Sequence, residues 1–271
     1  MNREISIQLY SVRDQAVKDY EGTIRAIADM GFTNVETAGF PGSSISNATQ
    51  LFKDLGIKVP SAHGELPLGE EKNRIIEEAL MLGNKYIITG CPPNFKEDYK
   101  NIDAVKRLAE IYCEAGQSAN EYGIQVGYHN HDWDLIDVEG EPGYRCFLDN
   151  TPETVLWEAD LFWVSRAGIN PVDFVKEIGV RGAVLHFKDG IVDDTAEFTE
   201  AETDDGRIMI SNSSPFLPAG VGEVDLLAVS EVAEYTQYAV VELDSYNGDM
   251  MKAVQESYTY LTESGIARGG K

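Results

Sequence analysis

Short runs of β-branched and aromatic residues alternate along this chain with longer stretches whose apolar positions recur three or four apart, the alternation expected of strand–helix units on a parallel sheet. Eight strand-like runs stand out: ISIQLYS near residues 5 to 11, NVETA at 34 to 38, KVPSAHG at 58 to 64, YIITGC at 86 to 91, IQVGYHNH at 124 to 131, TVLWEAD at 154 to 160, GAVLHFKD at 182 to 189 and YAVVELDS at 238 to 245. Between them, segments such as Tyr20 to Met30, Glu70 to Leu82 and Asp103 to Tyr122 predict helices with one apolar face. Eight repeats predict a closed barrel, a single (β/α)8 TIM barrel spanning residues 1–271. A doubly wound open sheet is the competing architecture, but it often carries a glycine-rich phosphate turn after its first strand. Here SVRDQAVKD, without a glycine, follows that strand. The connection from Gly190 to Leu226 is the longest without a helical pattern and is polar and acidic. It reads either as a lid over the catalytic face or as a surface excursion.

Composition narrows the partners. The chain has 271 residues, 43% hydrophobic, enough for one barrel core. With 22 Lys and Arg against 46 Asp and Glu, the formal charge is −24, which repels phosphate backbones and anionic lipid headgroups. No stretch approaches the roughly 20 apolar residues of a membrane span, and the opening MNREISIQLYSVRD has no signal-like apolar run. A cytoplasmic protein is expected. Cys91, Cys113 and Cys146 are odd in number and widely spaced, which predicts reduced thiols rather than a disulfide framework or a metal knuckle.

All four histidines, His63, His129, His131 and His186, fall near the C-terminal ends of predicted strands, where barrel enzymes build their sites. Three later strand ends each offer a ligand: Asp160 in WEAD, His186 in VLHFKD and Glu242 in VVELD. His129, in YHNHDWDL, ends the preceding strand and is the natural fourth. Mixed carboxylate and imidazole donors suit one divalent metal ion, Mn2+, Mg2+, Co2+ or Zn2+, and leave positions open for substrate oxygens. Asp132 and Asp134 lie just beyond the strand and read as solvated loop carboxylates. Lys188, beside Asp189, reads either as a substrate group or as half of an ion pair with that neighbour.

In this order, YHNHDWDL, WEADLFWVSRAGINP, VLHFKDG and VVELDSY, with SIQLYSVR at the start and PAGVGEVD before the last strand, resemble the xylose isomerase-like TIM barrel superfamily. That group includes sugar isomerases, ketose 3-epimerases, inosose dehydratase and the endonuclease IV group, and its typical mononuclear site is Glu, Asp, His, Glu. Asp160, His186 and Glu242 match the last three by motif position, while His129 stands where the first glutamate is expected. The resemblance implies a metal-dependent sugar isomerase or epimerase moving a proton next to a metal-bound carbonyl, with Glu242 as base and His131 or Lys188 as second proton carrier. An epimerase of this kind uses two glutamates on opposite faces of its substrate. His129 therefore keeps open a lyase or dehydratase that eliminates water or an aglycone from a keto-inositol or 3-keto-glycoside. Tyr10, Glu36 and His63 occupy strand ends where the superfamily places groups that bind sugar hydroxyls, and Trp163 is positioned to stack on a sugar ring or simply to pack. The implied partner is a small sugar or cyclitol, with a homo-oligomer open because the superfamily often forms dimers or tetramers. Its nuclease branch needs more histidines and a basic surface, and a nicotinamide enzyme needs a phosphate turn that GVGEVD, not following a strand, does not supply. A sugar-binding barrel without turnover is the remaining non-enzymatic reading.

Overall fold

The computed structural model describes residues 3–90, 95–192, 198–202, 208–212 and 216–270. Eight strands close into one barrel: β1 (Glu4–Gln8), β2 (Asn34–Thr37), β3 (Lys58–His63), β4 (Tyr86–Thr89), β5 (Gln125–His129), β6 (Leu156–Asp160), β7 (Val184–His186) and β8 (Tyr238–Val241). Every neighbouring pair is parallel, and β1 pairs with both β2 and β8 to complete the ring. The expected (β/α)8 TIM barrel is the observed architecture.

Each helix return is punctuated by its own sequence. Asp19 accepts the Gly22 N–H at the start of helix Tyr20–Met30, and Gly31 ends it at φ 113°, a left-handed conformation cheap only for glycine. Asn101 and Asp249 cap helices Ile102–Asn120 and Met250–Glu263 in the same way. The helices bury their apolar stripes against the outer faces of the strands, in a core that includes Ile24, Phe52, Tyr112, Phe147, Trp157 and Leu261. A smaller apolar set, Tyr86, Ile88, Leu156, Ala183, Val184, Tyr238 and Val240, fills the lower barrel interior. That plug leaves the polar residues to the C-terminal end of the strands.

Every barrel strand is shorter than its expected run, and two show the difference most clearly. ISIQLYS stops at Gln8, whose side-chain oxygen accepts the Tyr10 N–H and turns the chain into a 3-10 helix, Leu9–Val12. In GAVLHFKD the barrel strand covers only Val184–His186. Part of the long connection between β7 and β8 forms antiparallel pairs, Asp189–Gly190 with Phe216–Leu217 and Phe198–Glu202 with Ile208–Asn212. The remainder of the segment read as a lid or excursion, at 193–197, 203–207 and 213–215, lies outside the described residues, as does Cys91. Cys113 and Cys146 are free thiols. Among the described residues no helix is long and apolar enough to cross a membrane.

Candidate metal centre and active site

Strand parity decides which side chains face the barrel axis. On β6, Trp157 points outward and stacks on Tyr128 with ring centroids 5.0 Å apart, so its neighbours Glu158 and Asp160 both turn inward. The parallel register sets their heights: His129 lies level with Glu158, and Asp160 with His186. Glu242 follows β8 two residues beyond Val240, which is itself level with His186. Reaching from these heights, the inward side chains gather into two polar groups, an upper one that holds the expected ligands and a lower one beneath it.

The upper layer holds the four residues expected as ligands. One donor atom each from His129, Asp160, His186 and Glu242 lies within 4.8 Å of the others, and all four residues are buried. His186 Nδ1 is 2.7 Å from Glu242 Oε2, while His129 Nε2 and His186 Nδ1 are each 4.0 Å from Asp160 Oδ2. Asp160 Oδ1 accepts the N–H groups of Phe162 and Trp163, which turns Oδ2 toward the cluster. Lys188 Nζ closes this layer at 2.7 Å from Asp160 Oδ2, 2.8 Å from Glu242 Oε2 and 3.0 Å from Asp244 Oδ2. Burial pulls against ionisation of Glu242, but Lys188 and His186 beside it hold its carboxyl well below the usual range. For Asp160 burial prevails over Lys188 and lifts the carboxyl to about 6.

The lower layer joins Glu36, His63 and Glu158. His63 Nε2 lies 2.7 Å from Glu158 Oε2 and 3.2 Å from Glu36 Oε1, and His186 Nε2 lies 2.7 Å from Glu36 Oε1 and 3.2 Å from Glu158 Oε2. His129 Nδ1 is 2.9 Å from Glu158 Oε2, and Gln8 Nε2 donates to Glu36 Oε1 at 2.8 Å. Despite its burial, His63 is driven up to about 10 by the Glu36 and Glu158 carboxylates. Glu36, expected to meet substrate, has 0% exposure and binds imidazoles instead. Glu158 is the residue that motif reading missed. Its parity with Asp160, two positions on, was the available signal.

At the mouth, His131 stacks on Trp133 with ring centroids 4.1 Å apart and lies 5.6 Å from Trp163, and burial holds its imidazole well below the ordinary histidine range. Trp163 also stands under Lys188, whose Nζ is 5.5 Å from its ring. Tyr10 carries the Arg13 guanidinium 3.9 Å over its ring, and Arg13 also donates to the Asp244 carbonyl. Two expectations need correcting. Asp134 is not solvated: it is fully buried and accepts from Tyr128 OH and the His131 N–H; Asp132 is mostly buried and pairs with Arg166 at 3.2 Å. Asp189 is not the partner that holds Lys188. Its carboxylate accepts the N–H groups of Gly190, Gly220, Gly222 and Val224, pinning the loop before the last helix–strand unit while Lys188 turns to three other carboxylates.

Two imidazoles and two carboxylates converging in a buried shell, with donor atoms within 4.8 Å of one another, are the donor types that a divalent ion such as Zn2+ or Mn2+ takes. A second grouping, His63, His129, Glu158 and His186, also has donor atoms within 4.8 Å.

No protein-family model matches the chain, and no curated protein does. Solved structures share its fold. A sugar phosphate isomerase/epimerase from Parabacteroides distasonis aligns over 99% of this chain and 96% of its own, at 20% identity and a TM-score of 0.74. The IOLI protein, solved with a binding zinc atom, aligns over 96% of this chain and 97% of its own, at 15% identity and a TM-score of 0.70. The probable 3-DHS dehydratase AsbF of petrobactin synthesis from Bacillus anthracis aligns over 96% and 98%, at 15% identity and a TM-score of 0.69. At these identities the likeness shows the fold, and it is the barrel that the sequence motifs led one to expect.

Proposed function

We propose that this protein is a divalent-metal-dependent enzyme of the xylose isomerase-like superfamily that isomerises or epimerises a small keto- or aldo-sugar by proton transfer next to a carbonyl. The observation that carries this reading is the convergence of His129, Asp160, His186 and Glu242 within 4.8 Å at the C-terminal mouth of the barrel. An ion held there supplies positive charge against the negative charge that develops when a carbon beside a carbonyl loses its proton. The remaining work falls to the chain's own residues. Glu242 keeps 5% exposure against 0% for Asp160, whose Oδ1 is already held by two backbone N–H groups, so Glu242 is the base. Lys188 lies 2.8 Å from Glu242 Oε2 and is the cationic proton donor within reach. His131, kept neutral, accepts or donates one hydrogen bond to a sugar hydroxyl, and the Trp133 and Trp163 rings beside it exclude water on that side.

The mouth favours an unphosphorylated substrate. Lys188, Arg13 and Arg166 are each already engaged, with three carboxylates, with the Asp244 and Tyr10 carbonyls, and with Asp132 respectively.

One observation favours a second reading, elimination from a keto-inositol or 3-keto-glycoside. His129 stands where a symmetric epimerase needs its other glutamate, and the additional carboxylates, Glu36 and Glu158, have at most 1% exposure and bind imidazoles.

The test is solvent exchange in D2O with the chelated protein, with and without Mn2+, across unphosphorylated ketoses, 3-keto-glycosides and keto-inositols, read by NMR and mass spectrometry. Metal-dependent deuterium at the carbon beside the carbonyl, with mass otherwise conserved, is the expected result. Loss of water or of an aglycone replaces it with the second reading, and no metal-dependent change with any compound refutes both.

A further inference from the structure

We infer that Glu36 and Glu158, bridged by His63, form a buried positioning layer that fixes which nitrogen of His186 and of His129 is offered to a metal ion. This rests on the metal-site reading above and concerns residues outside the four ligands.

The geometry repeats on two strands. His186 turns Nε2 to Glu36 Oε1 at 2.7 Å, leaving Nδ1 toward Glu242 and Asp160. His129 turns Nδ1 to Glu158 Oε2 at 2.9 Å, leaving Nε2 toward Asp160. In a neutral imidazole one nitrogen carries the proton and the other a lone pair. When the opposite nitrogen gives its lone pair to an ion, a buried carboxylate accepts the remaining N–H and holds the ring in that orientation. In both rings that nitrogen faces the upper layer. A carboxylate behind a ligating histidine also makes the imidazole more basic, and losing it typically costs 10–100-fold in metal affinity. His63 Nε2, between Glu36 and Glu158, supplies the positive charge that lets two carboxylates share the barrel axis. Gly90 leaves room for it, because a Cβ there would run into His63 Nδ1.

The same residues could instead ligate a second ion, and the number of ions per chain separates the two roles. His63 already bridges the two carboxylates, 2.7 Å from Glu158 and 3.2 Å from Glu36, and so serves each as a hydrogen-bonding partner. Gln8 also donates an amide N–H to Glu36 Oε1, treating it as a hydrogen-bond acceptor.

The experiment measures metal content by elemental analysis, and Co2+ and Mn2+ affinity by titration, in the full-length wild type, Glu36→Gln, Glu158→Gln and Asp160→Asn. Thermal melts of each chelated protein are recorded alongside. One ion per chain is expected in the wild type. Glu36→Gln and Glu158→Gln should weaken it 10–100-fold and shift the Co2+ absorption bands, whatever the loss of a partner for His63 does to the chelated melts. Asp160→Asn should lose the ion. Two ions per chain, or one ion held with unchanged affinity and spectrum in both glutamine variants, overturns the positioning layer and leaves the metal site standing. No ion in the wild type overturns the metal-site reading as well. Chelated glutamine variants that melt well below wild type but keep wild-type metal affinity and Co2+ spectrum assign the layer to stability and overturn the positioning role.

Discussion

Replacing Lys188 with Met tests the electrostatics of the upper layer most directly. The side chain has 1% exposure and its ammonium lies 2.7, 2.8 and 3.0 Å from Asp160, Glu242 and Asp244. Methionine preserves much of the volume, so cavity formation is a minor term and the lost charge dominates. Removing one partner from a buried ion pair typically costs about 3–5 kcal/mol, because the remaining charge is left uncompensated. For a chain of this size roughly 2–4 °C of midpoint correspond to each kcal/mol, so the chelated variant should melt roughly 6–20 °C below wild type. A divalent ion between Asp160 and Glu242 restores the missing charge. Binding stabilises by about 2.7 kcal/mol at a hundredfold excess over Kd, and the loss of a neighbouring cation should also tighten the site. Melts of wild type and Lys188→Met with chelator and with excess Mn2+ should therefore show a large gap that mostly closes on adding metal. A chelated variant within about 1 kcal/mol of wild type, or a gap that metal leaves untouched, refutes the argument.

Glu242→Gln should lower solvent exchange into substrate by about 10²–10⁴-fold, the usual range for a lost general base, with circular dichroism unchanged; full activity removes Glu242 as base. Gly90→Ala should displace His63, costing about 1–3 kcal/mol as overpacking does, seen in urea unfolding, and a variant as stable as wild type contradicts the tight approach. Burial pushes the Asp134 carboxyl up to about 8, against about 3.9 in the unfolded chain. Its protonation therefore stabilises the fold fully below about pH 4, and this contribution is lost as pH rises through about 8. Asp134→Asn, which cannot ionise, should gain on wild type between pH 5 and 9 in urea melts, and a pH-independent difference counts against the assignment.

How much was legible follows from what each signal encodes. Helix Tyr20–Met30 was read to the residue, because Asp19 and Gly31 mark its ends chemically. The strand runs were found but overextended, since β propensity persists where a side chain, such as Gln8 onto the Tyr10 N–H, has already turned the backbone. The four expected ligands converge because parallel register and period two bring strand ends to one level, and motif order lists strand ends. Partners were less readable. Lys188 reaches carboxylates on β6 and beyond β8, contacts that separation in sequence conceals, whereas adjacency to Asp189 suggested the wrong one. Asp134 looked like a loop carboxylate because nothing in DWDL reveals that Tyr128 and the His131 N–H point at it.

The contact between His129 and Glu158 bears on the departure from the Glu, Asp, His, Glu pattern that the motifs led one to expect. In the metal site proposed above, an imidazole in place of the first carboxylate takes one negative charge from the ligand set, and Glu158, 2.9 Å behind His129, would return that charge beneath it. The two positions are then coupled, and a single reversion is not conservative. His129→Glu would press a new carboxylate against the buried Glu158, at a cost on the order of 3–5 kcal/mol for a buried charge without a partner. The double change His129→Glu with Glu158→Gln keeps the total charge of the pair and removes that repulsion. It should therefore be more stable and bind Mn2+ more tightly than His129→Glu alone, with a coupling of about 0.5–3 kcal/mol in a double-mutant cycle. Simple additivity of the two changes would mean that the charge behind His129 has no bearing on what occupies the ligand position.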